Sequence, residues 1–134
     1  MTLTDRANRA LKQIDAELAV CDAATPGKWL EQSDEIVAEV LEFRPIARAY
    51  GTRTSSQEDK KNAAFIATAR TGYPAALKGL KVAIESLLKR HTERERLIQS
   101  YTEKHRDYDP TCDFATEYAK ALNSILAIWE ESHK

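Results

Sequence analysis

The sequence predicts an α+β fold, mostly helical, with about four helices and a small antiparallel β-hairpin or three-stranded sheet. Three observations carry that expectation. Alanine occurs twenty times in 134 residues, while glycine and proline occur four times each, so helix formers abound and turn formers are scarce. Apolar residues recur at helical spacing through most of the chain. One stretch, residues 35–50, breaks that pattern with β-branched and aromatic residues. The length bounds residues 1–134 to a single domain able to bury its own core.

The first helix is expected over 2–22. Thr2 and Asp5 have capping-box spacing. Ala7, Leu11, Ile14, Leu18 and Cys21 form one apolar stripe, with charged residues on the remaining faces. Thr25-Pro26-Gly27 ends it, since proline removes a donor and glycine permits positive φ.

A β segment is expected over 28–51. Glu35 to Phe43 admits two readings. As a helix, Ile36, Val37, Val40 and Leu41 share a face. As a strand, it leads through a turn at Arg44-Pro45 into Ile46-Ala47-Arg48-Ala49-Tyr50, which alternates. The hairpin is the preferred reading, with Ile36, Ala38, Val40, Ala47 and Ala49 on one face. Val37, Leu41, Phe43, Ile46 and Tyr50 take the other. Trp29 and Leu30 offer a short third strand.

Ser55 and Glu58 repeat the capping-box spacing and open a helix over 56–71, with Gly72 as its C-terminal cap. Pro74 opens a long helix over 74–105, because its missing N–H costs nothing in a first turn. Leu77, Leu80, Ile84, Leu87 and His91 make its stripe, and Ile98 and Tyr101 continue the frame. A last helix over 112–132 aligns Phe114, Tyr118, Leu122, Ile125, Leu126 and Trp129. Leu11, Leu18, Phe65, Leu77, Leu80, Ile84 and Leu87 are the expected core.

Composition excludes several classes. Hydrophobic residues at 43% and charged residues at 31% fit a globular chain. A net charge of −1 lacks the electrostatic signature of a dedicated nucleic-acid binder. No run of eighteen apolar residues exists to span a membrane, and no export signal is visible. Cys21 and Cys112 form no CxxC pair, so both are expected reduced and the chain cytoplasmic.

No residue set stands out as catalytic, cofactor-binding or metal-ligating. There is no glycine-rich phosphate loop, no GxSxG and no HExxH. His91 takes a stripe position and reads as a packed helix histidine. His105, Asp109 and Cys112 are ligand-competent types, but their spacing matches no standard site and a fourth ligand is missing. His133 sits at the terminus. Glu31, Asp34, Glu35, Glu39 and Glu42 form an acidic run, and Arg44, Arg48, Arg53, Lys60 and Lys61 a basic one. Cross-strand charge pairing accounts for both.

Two segments are recognisable together. One is Ala23-Ala24-Thr25-Pro26-Gly27-Lys28-Trp29. The other is Asn62-Ala63-Ala64-Phe65-Ile66-Ala67-Thr68-Ala69-Arg70-Thr71, followed by Pro74-Ala75-Ala76-Leu77. Over residues 15–90 the chain resembles a group of small phage and prophage proteins. These carry an Ala-Thr-Pro-Gly-x-Trp turn, a short β segment and an Asn-Ala-x-Phe-Ile-Ala-x-Ala-Arg helix. Many members have proline between the glycine and the tryptophan, where this chain has Lys28. Some carry several cysteines near the C-terminus, where this chain has Cys112 alone. The resemblance implies a phage or prophage setting in a bacterial host cell and no agreed biochemical activity. It singles out Trp29, Asn62, Phe65 and Arg70. Three of them also have a structural explanation: Trp29 anchoring the sheet to the helices, Asn62 bonding a neighbouring loop, Arg70 complementing a helix C-terminus.

The expected function is therefore that of an accessory protein acting by protein–protein contact and not an enzyme, with no cofactor. Its partner is an unidentified protein, and a two-fold homodimer is expected because both hairpin faces, Ile98, Tyr101 and Trp129 leave apolar surface to cover. Two alternatives are a small-ligand binder or enzyme with its site between the hairpin and the 56–71 helix, and a nucleic-acid-associated protein using Arg44, Arg48 and Arg53.

Overall fold

The computed structural model describes residues 1–24, 27–38, 44–48, 56–104 and 116–134. Within these, three helices and three strands follow in the order α1 (Leu3–Ala23), β1 (Trp29–Gln32), β2 (Glu35–Ala38), β3 (Arg44–Arg48), α2 (Ser56–Lys104) and α3 (Thr116–Ser132). Mostly helical with a small antiparallel sheet is what composition and the pattern of residues 35–50 together predict. The expectation of about four helices is corrected to three among the described residues.

α1 begins as its sequence dictates. The Thr2 N–H and hydroxyl both donate to the Asp5 carboxylate, and the Asp5 N–H donates back to the Thr2 hydroxyl at 3.1 Å. These reciprocal bonds satisfy N–H groups that a helix start leaves open, and they hold the Asp5 carboxyl below its ordinary range. Past Ala23, Gly27 takes a φ of 83°, the freedom expected of it.

The sheet has the order β1-β2-β3, antiparallel throughout. β1 and β2 are joined by Ser33 and Asp34 alone, with Gln32 opposite Glu35. Ser33 carries a φ of 62°, which the first central position of a type II′ turn requires. The expected turn at Arg44-Pro45 is corrected: both residues belong to β3. Pro45 is tolerated there for a geometric reason. It stands opposite Val37, which also stands opposite Leu30. A two-residue turn makes Gln32 and Glu35 a hydrogen-bonded pair, so the alternation makes Leu30 and Val37 another. Val37 spends its backbone groups on β1, and the β2–β3 ladder asks no N–H of position 45.

The cross-strand faces expected of Ile36, Val37 and Ile46 are also corrected. Ile36 stands opposite Ala47 and Val37 opposite Pro45, which leaves Ile46 as an extra residue in a bulge. Ile46 therefore packs with Ile36, not on the opposite face with Val37. The positions expected to continue the hairpin, Val40, Leu41, Phe43, Ala49 and Tyr50, lie outside the described residues.

The break expected at Gly72-Tyr73-Pro74 does not occur. α2 runs through it for 49 residues, with Pro74 inside. Proline in a helix interior costs about 3 kcal/mol and here removes the bond to the Arg70 carbonyl. Burial on both sides of the break outweighs that cost: Ala63, Ala67 and Leu77 are all buried. Gly72 is thus a helix-interior residue and not a cap. α3 starts at Thr116, and the expected start at 112 lies outside the described residues.

The chain divides into two compact units, Met1–Asp15 with Gly79–Lys134, and Ala16–Lys78. In the first, Ala7, Ala10, Ile14, Ile84, Leu122, Leu126 and Trp129 are buried. Arg6 clamps α1 to α3 through both Glu130 oxygens at 2.9 and 2.8 Å and the Asn123 carbonyl at 2.6 Å. Lys81 joins α2 to Asp15 at 2.6 Å, and Arg90 lies 5.4 Å from the Tyr118 ring centroid. In the second unit the sheet rests on α2 through Ile36, Ala63 and Ala67, with Trp29 and Ile46 against them. Tyr73 ties α2 to α1 by donating its hydroxyl proton to Glu17.

Candidate functional site

The four motif residues divide into two pairs. Trp29 opens β1 and packs over Ile36, Ala63 and Ala67. The Arg70 guanidinium covers it, 5.5 Å from the ring centroid. Arg70 sits mid-helix, so its expected role at a helix C-terminus is corrected to a cation–π contact that pins the sheet to α2. The anchoring role expected of Trp29 fits this contact.

Asn62 and Phe65 point outward. Phe65 is 75% exposed, against the expectation that it belongs to the core. The residues of this helix that meet the sheet are instead the small ones, Ala63 and Ala67. Asn62, Phe65, Ala69, Tyr73 and Ala76 follow steps of three and four along one side of α2. Tyr73 is 47% exposed and Ile66, beside Phe65, 38%. Residues 62–77 hold one charged side chain, Arg70, where a chain 31% charged would place about five. That one charge is turned to Trp29. The result is a side of α2 that exposes apolar residues and contributes no charge of its own, the kind of surface that marks an interaction site.

A groove of about 260 Å³ lies between β1 and α2, lined by Lys28, Trp29, Leu30, Glu31, Ala64, Ala67, Thr68 and Thr71. Thr71 donates its hydroxyl proton to the Thr68 carbonyl at 3.2 Å. Small-molecule sites usually enclose about 300–1,000 Å³ and bring convergent polar groups together. This groove falls below that volume and is open along its length. In the other unit, hollows of about 480 Å³ beside Leu88 and Thr92 and about 350 Å³ beside Leu3 and Asn123 are similarly open to solvent.

The remaining sequence candidates disperse. Among the described residues no three His, Cys, Asp or Glu side chains group to hold a metal ion. His105, Asp109, Cys112, Glu39, Glu42 and Arg53 lie outside them. His91 is half-buried on α2 and His133 stacks on Trp129 at 3.7 Å, its Nδ1 2.8 Å from the Trp129 carbonyl oxygen. The backbone register sets Glu35 opposite Arg48. Cys21 is a free, half-buried thiol on α1. The shifted ionisable groups belong to pairs that join or brace helices. Glu17, burial and nearby negative charge push the Tyr73 hydroxyl up to about 12. Arg6 holds the Glu130 carboxyl low, and Arg96 does the same to Glu93. Among the described residues no helix is long and apolar enough to cross a membrane.

Three features were not read from the sequence. The i, i+4 spacing of Trp129 and His133 was the visible signal for their stacking. The exposed face of α2 was visible as an uncharged run. The Arg6–Glu130 clamp joins residues 124 apart, and nothing local announces it.

No family model matches the chain, and no curated protein or solved structure matches it either.

Proposed function

We propose that the chain is an accessory protein of phage or prophage type, working by protein–protein contact in the cytoplasm of a bacterial host. The observation that supports this reading is the uncharged outer face of α2, where Phe65, Ile66 and Tyr73 stand exposed. Leaving a phenylalanine in water forgoes about 1.5–3 kcal/mol of burial. A partner that covers Phe65 recovers it, and buried aromatics are the usual anchors of an interface. The contact face lies outside the sheet–helix core, so the motif pair Trp29–Arg70 builds the scaffold and the pair Asn62–Phe65 meets the partner. A second copy of the chain is one partner this face accepts, which keeps the two-fold dimer as a proposal on the same ground.

Affinity capture from the host cell with wild-type and Phe65→Glu baits tests the reading. A partner retained by the wild type and lost with Phe65→Glu, at unchanged thermal stability, supports it. Equal recovery by both baits contradicts it.

A further inference from the structure

We propose that the outer edge of β1 accepts an extended peptide as a fourth strand, seated in the groove between β1 and α2. This goes beyond the contact face of α2, because Ala64, Ala67, Thr68 and Thr71 occupy a different side of that helix from Phe65.

Four consecutive residues, Lys28, Trp29, Leu30 and Glu31, line the groove. Successive strand residues point to opposite faces. A hollow that touches all four therefore runs along the edge of the strand and not over one face. β1 is an outer strand of the sheet. Gln32–Glu35 and Leu30–Val37 are hydrogen-bonded pairs by the turn geometry, and Glu31–Ile36 lies between them. The N–H and C=O of Glu31 consequently point away from β2, toward the groove. An outward-facing donor and acceptor on an edge strand are a template for a further strand.

The opposite wall suits such a guest. Ala64, Ala67, Thr68 and Thr71 recur at i, i+3, i+4 and i+7, so the helix offers only methyl groups and hydroxyls. Side chains of valine or threonine size fit against them. Charge sets the register. Lys28 and Glu31 are exposed, opposite in sign and three residues apart, about 10 Å along the strand. An antiparallel guest, the more stable pairing, meets Glu31 with a base and Lys28 with an acid three residues later. The partner is thus a β-prone segment of the form basic-x-x-acidic.

The test selects binders from a displayed library of random short peptides on wild-type protein, with Glu31→Pro as counter-target. Proline there removes the outward N–H and leaves the β1–β2 bonds intact. The expected result is enrichment of basic-x-x-acidic peptides that bind Glu31→Pro at least about tenfold more weakly and slow amide exchange at Glu31. The double variant Lys28→Glu with Glu31→Lys, both exposed positions, should reverse the selected order to acidic-x-x-basic. If Glu31→Pro proves unfolded by circular dichroism, amide exchange and the charge reversal decide alone. No enrichment, enrichment without the charge order, or peptides that leave Glu31 exchange unchanged would each overturn the proposal. So would protection of Glu31 by self-association of the free protein.

Discussion

Arg70 and Ser33 show how single residues hold the sheet in place. Arg70 places its guanidinium over Trp29 while the surrounding stretch of α2 carries no other charge. Replacing it by methionine keeps an apolar stem and deletes the cation. Arg70→Met should cost about 1 kcal/mol, within the range of partly desolvated cation–π contacts. Urea denaturation followed by tryptophan fluorescence measures it; an unchanged midpoint would show that the stem alone holds Trp29. Ser33 works against stability. Its φ of 62° is a conformation that side-chain-bearing residues enter at a cost. Ser33→Gly should raise stability by about 0.5–1 kcal/mol, the relief of strain exceeding the added freedom of the unfolded chain. A loss of stability would mean that the Ser33 hydroxyl contributes more than its backbone costs.

At the scale of elements, some of the fold was legible and some was not. α1 was legible to within a residue: its start is local chemistry, the Thr2–Asp5 box, and a glycine follows four residues past its end. The small sheet was legible as a composition but not in register. A one-residue bulge at Ile46 reversed the expected faces, and Pro45 turned out to be harmless at a position that donates no bond to the ladder. The break at Pro74 misled because a propensity of a few kcal/mol is visible in sequence, while the burial of Ala67 and Leu77 that overrides it is a tertiary fact. Phe65 misled for the converse reason: a large apolar side chain reads as core unless its helix packs through smaller neighbours.

The same element predicts its own improvement. A Cβ added at Gly72 meets nothing within 4 Å, so Gly72→Ala should gain about 1 kcal/mol. Pro74→Ala restores the bond to the Arg70 carbonyl and should gain about 2–3 kcal/mol. Chemical denaturation checks both. A destabilised Pro74→Ala would mean that the helix needs the proline where it stands. The α1–α3 clamp has a pH signature. Arg6 holds the folded Glu130 carboxyl below its ordinary value of 4.5. The clamp contributes in full above pH 4.5 and is lost as the pH falls through the lower folded value. Glu130→Gln should therefore lower the denaturation midpoint at neutral pH, with the gap to wild type closing in acid. A gap that persists at pH 2–3, below the titration range of most carboxylates, would assign the effect to something other than the charge.

For the whole molecule, the proposed contact face on α2 is distinct from the ties that brace the scaffold. Two compact units each carry their own ties, Arg6–Glu130 and Lys81–Asp15 in one, Arg70–Trp29 and Tyr73–Glu17 in the other. The exposed side of α2 takes part in none of them except through the Tyr73 hydroxyl. If the partner is a second copy, light scattering at micromolar concentration should approach twice the chain mass of 15.1 kDa. Phe65→Glu should then return the mass to that of one chain, because a charge in an apolar contact costs several kcal/mol. A mass fixed at one chain removes the homodimer and leaves a different protein as the partner.

The central claim is that the Phe65 side of α2 is where the chain meets its partner. The most direct measurement places a photo-crosslinking phenylalanine analogue at position 65 in the living host cell, with the same analogue at Glu117, an exposed position on α3, as control. The expected result is a discrete crosslinked species from position 65 on illumination and none from position 117. Equal crosslinking from both positions, or none from position 65, would contradict it.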